Sequence, residues 1–222
     1  MQTLYLILAV LAAYALGSLS FAVIVSRVMG LHDPRTYGSQ NPGATNVLRS
    51  GNRRAAVLTL LLDAVKGYVP VMLAVQFGAR FGIGEGGVAL IAVAAFVGHL
   101  WPVFFHFKGG KGVATAGGVM FGINPWLGLA VVVVWAVVAA LFRYASLASI
   151  AAALFAAFFQ PFMFDTGPLA VAVAVMALLL MWRHGGNIAK LLAGTENKIG
   201  HKPGAAAKTS RSSRKVSKPR AH

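Results

Sequence analysis

The chain has no cysteine, and that absence removes disulfides, iron–sulfur clusters and thiolate zinc sites. Acid is scarce as well. Five Asp and Glu stand against 20 Lys and Arg in 222 residues, giving a formal net charge of +15. Charged residues make up 11% of the chain, where a soluble domain would carry about 25%. No Lys or Arg precedes the first apolar run, so the N-terminus does not read as a cleaved signal peptide. No convincing internal repeat is present, which leaves out the inverted-repeat signature of many transporters. Nor is there a G-x-x-x-x-G-K-[ST] sequence, the loop with which many nucleotide-binding proteins hold phosphates.

What is present is apolar, 58% of the chain. Six runs are long enough to consider as membrane spans: roughly Gln2–Arg27, Val57–Phe77, Val88–Phe107, Pro125–Phe142, Tyr144–Phe164 and Pro168–Trp182. A seventh, Gly112–Gly122, is short and built from small residues. Charge parity bears on its status, because loops rich in Lys and Arg stay in the cytoplasm. Arg27, Arg35, Arg49, Arg53 and Arg54 place the first polar loop inside and the N-terminus outside. Lys108 and Lys111 then return to the inside, as must the tail from Arg183 onward with its ten Lys and Arg. Six spans would strand that tail outside; counting Gly112–Gly122 gives seven and also brings Arg143 inside. The expectation is an all-α integral membrane protein of about seven transmembrane helices, N-terminus outside and C-terminus cytoplasmic. Five spans are the main rival. Residues 1–201 read as a single transmembrane domain, and 202–222 as a basic, disordered cytoplasmic tail lying against anionic lipid heads. Nucleic-acid binding is the weaker reading of that tail, since no aromatic residues interleave with its charges.

One segment between two apolar runs stands out: FKGGKGVAT, Phe107 to Thr115. Gly109, Gly110 and Gly112 let the backbone approach an anion and aim its N–H groups. Lys108 and Lys111 add two point charges, and a helix starting just after favours the same anion. Bare cations beside hydrocarbon are expensive and mark function more often than not. A cytoplasmic loop that merely orients the protein is the plainer alternative; the glycines favour a phosphate or carboxylate site.

Three other regions carry polar chemistry. The first loop, YGSQNPGATNVLRSGNRR from Tyr37 to Arg54, is dense in turn formers. Ser39, Thr45 and Asn46 suit the oxygens of a phosphate or polyol, and Arg49 can grip a phosphate bidentately. A capped, solvated loop whose helix starts near Asn46 accounts for the same residues equally well. Asp63 and Lys66 are three apart, on one helical face of the second span. They read as a self-neutralising pair that holds nearby loops, with direct substrate contact as the alternative. His99 reads as a buried histidine bonded to a neighbouring helix. After the last span comes RHGGNIAKLLAGTENKIG, Arg183 to Gly200, where His184 and Asn187 are three apart and Glu196 is the only acid. His184 suits a donor to phosphate or a base, and Asn187 a donor to an anion.

Together and in this order, GSQNPGATNVLR, GHLWPVFFHFKGGKGVAT and HGGNIAKLLAGTENKIG resemble the bacterial acyl-phosphate:glycerol-3-phosphate acyltransferases; DAVKG, Asp63 to Gly67, is similar to that family's second-span sequence. The resemblance runs from Met1 to about His201. It implies a membrane enzyme of phospholipid synthesis with seven spans and a cytoplasmic active site, in the bacterial inner membrane. Such an enzyme moves a fatty acyl group from acyl phosphate to the 1-hydroxyl of glycerol 3-phosphate, giving lysophosphatidic acid and phosphate. Carried over by motif position, Ser39, Arg49, Lys108, His184 and Asn187 line the site, while Gly43, Gly109, Gly110 and Gly112 shape it. Thr45, Asn46 and Lys111 join them in substrate binding, and Asp63, Lys66, His99 and Glu196 give structural support. No metal or cofactor is expected; the partners are the two substrates and membrane lipids, with no nucleic acid, and the working unit is a monomer.

The His-x-x-x-x-Asp motif of other glycerolipid acyltransferases is absent, as is any evident Ser-His-Asp arrangement. Acyl phosphate is a mixed anhydride with a good leaving group, so little base strength is needed. Positioning and charge stabilisation are expected to do the catalysis. Deprotonation falls to a substrate phosphate oxygen or to His184. An anion transporter would want similar residues nearer mid-membrane, and a non-catalytic scaffold would not need Gly- and Asn-rich loops.

Overall fold

The structure, a computed structural model, describes residues 1–164 and 166–200; the basic tail lies outside the described residues. Among those described there are ten α-helices and no strand: α1 Gln2–Gly17, α2 Phe21–Val28, α3 Ala44–Leu48, α4 Arg53–Phe77, α5 Glu85–Leu100, α6 Val113–Ile123, α7 Pro125–Phe142, α8 Ala145–Met163, α9 Pro168–Arg183 and α10 Gly185–Leu192. Four of them are long and apolar enough to cross a membrane. Two bent pairs, α1 with α2 at 46° and α9 with α10 at 59°, raise the number to six if each is one span. This is an integral membrane protein.

Local chemistry sets several of these ends. The Asn52 side chain accepts the N–H of Ala55 at 3.0 Å and starts α4. Asn124 caps α7 through the N–H of Trp126 at 2.8 Å, and Pro125 takes the first helical position, where its missing N–H costs nothing. The first apolar run departs from expectation. Gln2–Arg27 is not one helix but two, broken at Ser18–Ser20. The break exposes the Leu19 carbonyl, which the buried ammonium of Lys66 satisfies at 2.6 Å.

Packing relies on small residues. Between α4 and α6, a Cβ on Gly67 would strike the Thr115 carbonyl, and one on Gly118 the Ala64 carbonyl. Between α1 and α5, Gly17 and Gly98 lie equally close to the facing backbones of Ala95 and Tyr14. In a bilayer, where burial of apolar surface does not itself drive helices together, such close backbone approach provides the dispersion contacts. Ile91, Phe96, Leu100, Val119, Leu127, Val173 and Met176 fill the centre between α5, α6, α7 and α9. Leu60, Leu61, Val133, Phe158 and Leu178 point outward, as lipid-facing side chains should.

α6 has 11 residues, a rise of roughly 16 Å against a hydrocarbon core of about 30 Å. It is held against α4 and runs into α7 through the single residue Asn124. The second polar loop and α10 flank its N-terminal end.

Candidate active site

The first loop is organised by one buried side chain. Asn46, 2% exposed, donates to the carbonyls of Pro34 at 2.6 Å and Tyr37 at 3.2 Å, and its oxygen accepts the N–H of Ser39 at 3.0 Å. Its amide therefore holds the loop's shape, leaving Ser39 and Thr45 exposed at the surface. Gly43, with extended backbone, precedes α3, and Arg49 follows it, its Cδ beside Gly38. Asp33 and Arg35 form an ion pair at 2.6 Å, and the Arg35 hydrogen bond holds the Asp33 carboxyl below the usual range. The Arg35 guanidinium also stands 5.9 Å from the centre of the Phe105 ring, tying this loop to the next.

The second loop turns sharply through His106 and Phe107, both with positive φ, and reaches α6 through Gly112 at φ 81°. Lys108 stands exposed between them. Gly109 and Gly110 are held from both sides. Gly110 N–H donates to the His99 carbonyl at 3.2 Å. The Arg183 guanidinium donates to the Gly109 carbonyl at 2.9 Å and to the Gly110 carbonyl at 3.2 Å. A Cβ on Gly109 would meet the carbonyls of His99 and Leu100, and one on Gly110 the His99 ring and the Pro42 carbonyl.

Lys111 points towards the third segment and donates to the side-chain oxygen of Asn187. Asn187 in turn donates to Glu196 at 2.7 Å, and the Ser146 hydroxyl reaches the same carboxylate oxygen at 2.8 Å. Partial burial pushes the Lys111 ammonium down to about 8; Glu196 opposes that shift, while Arg183, Lys190 and Arg49 reinforce it. The buried His184 sets its Nδ1 against the Leu180 carbonyl at 2.8 Å. A carbonyl can only accept, so Nδ1 carries the proton and Nε2 is the nitrogen left to act as a base. The chain after α10 returns to the α7–α8 corner, where Ile199 N–H meets the Arg143 carbonyl at 2.6 Å.

Behind the glycines lies a second polar group. Asp63 and Lys66 pair at 2.7 Å with side chains 3% and 1% exposed. His99 Nδ1 lies 3.1 Å from the Thr115 hydroxyl of α6 and 3.7 Å from Asp63. The expected bond from His99 to a neighbouring helix is thus present, and the expected Asp63–Lys66 pair is formed.

All three polar segments therefore meet at one end of the bundle. These segments bring together the cations Arg49, Lys108 and Lys111, the hydroxyls of Ser39 and Thr45 and the imidazole of His184, which is chemistry suited to phosphate and to a developing oxyanion. Among the described residues no three metal-ligating side chains come together. Two contributors went unread in the sequence. Arg183 follows a span, where the positive-inside rule already accounts for an arginine; nothing local announces its grip on two carbonyls 73 and 74 positions away. Ser146 is one small hydroxyl in an apolar stretch.

Residues 7–194 match the model of the family described as glycerol-3-phosphate acyltransferase. The chain belongs to this family. It is 60% identical over 197 residues to the glycerol-3-phosphate acyltransferase of Paraburkholderia phytofirmans, covering 89% of this chain and 92% of that one. The enzyme of the same name from Ralstonia nicotianae is 59% identical over 191 residues, 86% and 92% of the two chains. Among solved structures, the fold matches that of PlsY (YgiH), an integral membrane glycerol 3-phosphate acyltransferase. Its glycerol 3-phosphate form superposes with a TM-score of 0.83 at 39% identity, covering 88% of this chain and 96% of that one. Its lysophosphatidic acid form gives 0.81 at 38% identity, with the same coverage.

Proposed function

We propose that this chain transfers a fatty acyl group from acyl phosphate to the 1-hydroxyl of glycerol 3-phosphate, releasing lysophosphatidic acid and phosphate for phospholipid synthesis. The observation that carries the proposal is the meeting of the Lys108–Gly112 loop with Arg49, His184 and Asn187 at one end of a membrane bundle. Family membership supplies the acceptor, and the bilayer supplies access for a lipid donor. Both substrates carry phosphate, and Arg49, Lys108 and Lys111 supply three cations. Gly110 and Gly112 let the loop backbone come within reach of an oxygen. Ser39 and Asn187 serve as neutral donors that fix orientation.

In the transfer, the glycerol hydroxyl oxygen attacks the acyl carbonyl carbon. Charge builds on the carbonyl oxygen, then leaves with phosphate. The hydroxyl proton passes to a substrate phosphate oxygen or to His184 Nε2. Lys108 and Arg49 stabilise the charge that develops, and the rate follows from positioning more than from base strength. Asp63, Lys66, His99 and Glu196 stand outside the reaction and hold the loops. Gly43 and Thr45 shape and face the site from the first loop, with Asn46 as its internal brace.

The reading extends to topology. Counting α6 as a short crossing gives seven, with the N-terminus outside and the three polar segments in the cytoplasm of a bacterial inner membrane. One catalytic domain spans 1–201 with a separate basic tail, and the enzyme works as a monomer without metal, cofactor or nucleic acid.

The test is purified protein with labelled glycerol 3-phosphate, offered acyl phosphate, acyl-CoA or acyl carrier protein in turn, with and without EDTA. Acyl phosphate alone should support turnover, unaffected by EDTA. Equal turnover with acyl-CoA overturns the donor assignment, and loss of activity in EDTA overturns the metal-free mechanism; either leaves the family intact.

A further inference from the structure

At the end of α4 away from the polar segments, an apolar groove of about 540 Å³ runs between α1 and α4 and is closed by α5. On α1 its wall is Ala9, Ala12, Ala13 and Leu16, which share one face at helical spacing. On α4 the wall includes Leu73 and Phe77. The alanines of α1 facing Leu73 and Phe77 of α4 leave an open apolar channel. The lining is too apolar to hold ordered water, which needs polar partners.

The groove ends at a cation. After α4 the chain makes a tight turn over Gly78–Phe81, closed by the Ile83 N–H on the Gly78 carbonyl at 3.0 Å. Arg80 sits in that turn, exposed, with its guanidinium 5.3 Å from the centre of the Phe77 ring. Arg80 also lines the groove mouth. No ion pair among the described residues includes it. Glu85, a described carboxylate at this end, instead takes the N–H of Leu169 at 3.4 Å. A guanidinium held at the border of hydrocarbon, without a carboxylate partner among the described residues, is matched by a lipid phosphate.

We propose that this groove binds one anionic glycerophospholipid, its phosphate on Arg80 and one acyl chain between α1 and α4, at the face opposite the catalytic loops. The site is separate from that of the substrates. It rests on the bundle lying in a bilayer and not on the assignment of the acyl donor.

Delipidated protein in detergent, titrated with phosphatidylglycerol or phosphatidylcholine and read by native mass spectrometry, tests it. Wild type should take up one phosphatidylglycerol about tenfold more tightly than phosphatidylcholine, whose phosphate keeps its charge but carries a choline cation that offsets it and repels Arg80. Arg80→Gln should abolish that preference. Ala12→Phe, at a lipid-exposed position, should fill the groove and remove the tight site for both lipids. Excess acyl phosphate should not displace the bound phosphatidylglycerol. Equal affinity for the two lipids, a preference that survives Arg80→Gln, or a tight site that survives Ala12→Phe would overturn the proposal. Displacement by acyl phosphate would overturn it too, by making the groove part of the substrate site. Should Ala12→Phe fail to fold, the Arg80→Gln preference and the displacement experiment decide.

Discussion

Replacing Lys66 by methionine tests the interior of this bundle most directly. The ammonium lies 2.7 Å from the Asp63 carboxylate and 2.6 Å from the Leu19 carbonyl, with the lysine side chain 1% exposed. Methionine keeps the length and apolar stem and removes both contacts. The larger consequence is an uncompensated carboxylate in a dry site, and removing one partner of a buried pair costs about 3–5 kcal/mol. The second is the Leu19 carbonyl at the break between α1 and α2, whose orphaning costs about 1–3 kcal/mol. The double variant Asp63→Asn, Lys66→Met removes the buried charge and leaves only the second loss. It should therefore be destabilised by about 1–3 kcal/mol, less than the single variant. Reversible unfolding in mixed micelles, followed by tryptophan fluorescence, gives the three free energies needed. If Lys66→Met lies within about 1 kcal/mol of wild type, or if the double variant is the less stable of the two, the pair does not have the weight assigned to it.

Three further outcomes concern the site. Arg49→Ala and Lys108→Ala should each lose roughly 10- to 150-fold in kcat/KM for glycerol 3-phosphate, as expected for one charge-assisted contact, while inserting normally; near-wild-type turnover removes that residue from the site. Lys111 titrates at about 8 and is a cation below that value, so kcat/KM should hold at lower pH and fall as pH rises through about 8. Lys111→Arg should shift that limb well above pH 9, and an unmoved limb assigns it to another group. Gly110→Ala puts a methyl against the His99 ring and the Pro42 carbonyl; transfer should drop by roughly two orders of magnitude with the fold retained by circular dichroism, and wild-type rates would mean the loop is slack.

Several features of the fold were legible because their causes are local. Asn124 followed by Pro125 marks the start of α7, and the expected bounds Pro125–Phe142 are those found. The i,i+3 spacing of Asp63 and Lys66 was enough to predict their pairing. The break in the first run was not legible, since Leu19 is apolar and its partner is 47 positions away. Nothing in a window of 20 residues distinguishes a broken helix from a whole one when the compensating donor comes from another helix. At the site, the residues that face a ligand were readable as types, because cations and glycines have few uses beside a membrane. The internal braces were harder. Asn46 has the same chemistry whether it binds a substrate or its own loop, and only burial and three hydrogen bonds assign it to the loop. Glu196 is readable as the only acid of its segment, but not the source of its direct hydrogen bonds, which come from Asn187 and Ser146, both neutral.

The grip of Arg183 on the Gly109 and Gly110 carbonyls decides the polarity of the loop. A run of glycines can ordinarily present either edge of its peptides, carbonyls towards a metal ion or N–H groups towards an anion. Every peptide described here is trans, so fixing the Gly110 carbonyl on one side turns the Lys111 N–H to the other, while the Gly110 N–H is already held by the His99 carbonyl. With both carbonyls taken, the loop cannot roll over to greet a cation. Its sign is chosen by the fold before any ligand arrives, and the ordering that an anion would otherwise have to impose is already in place.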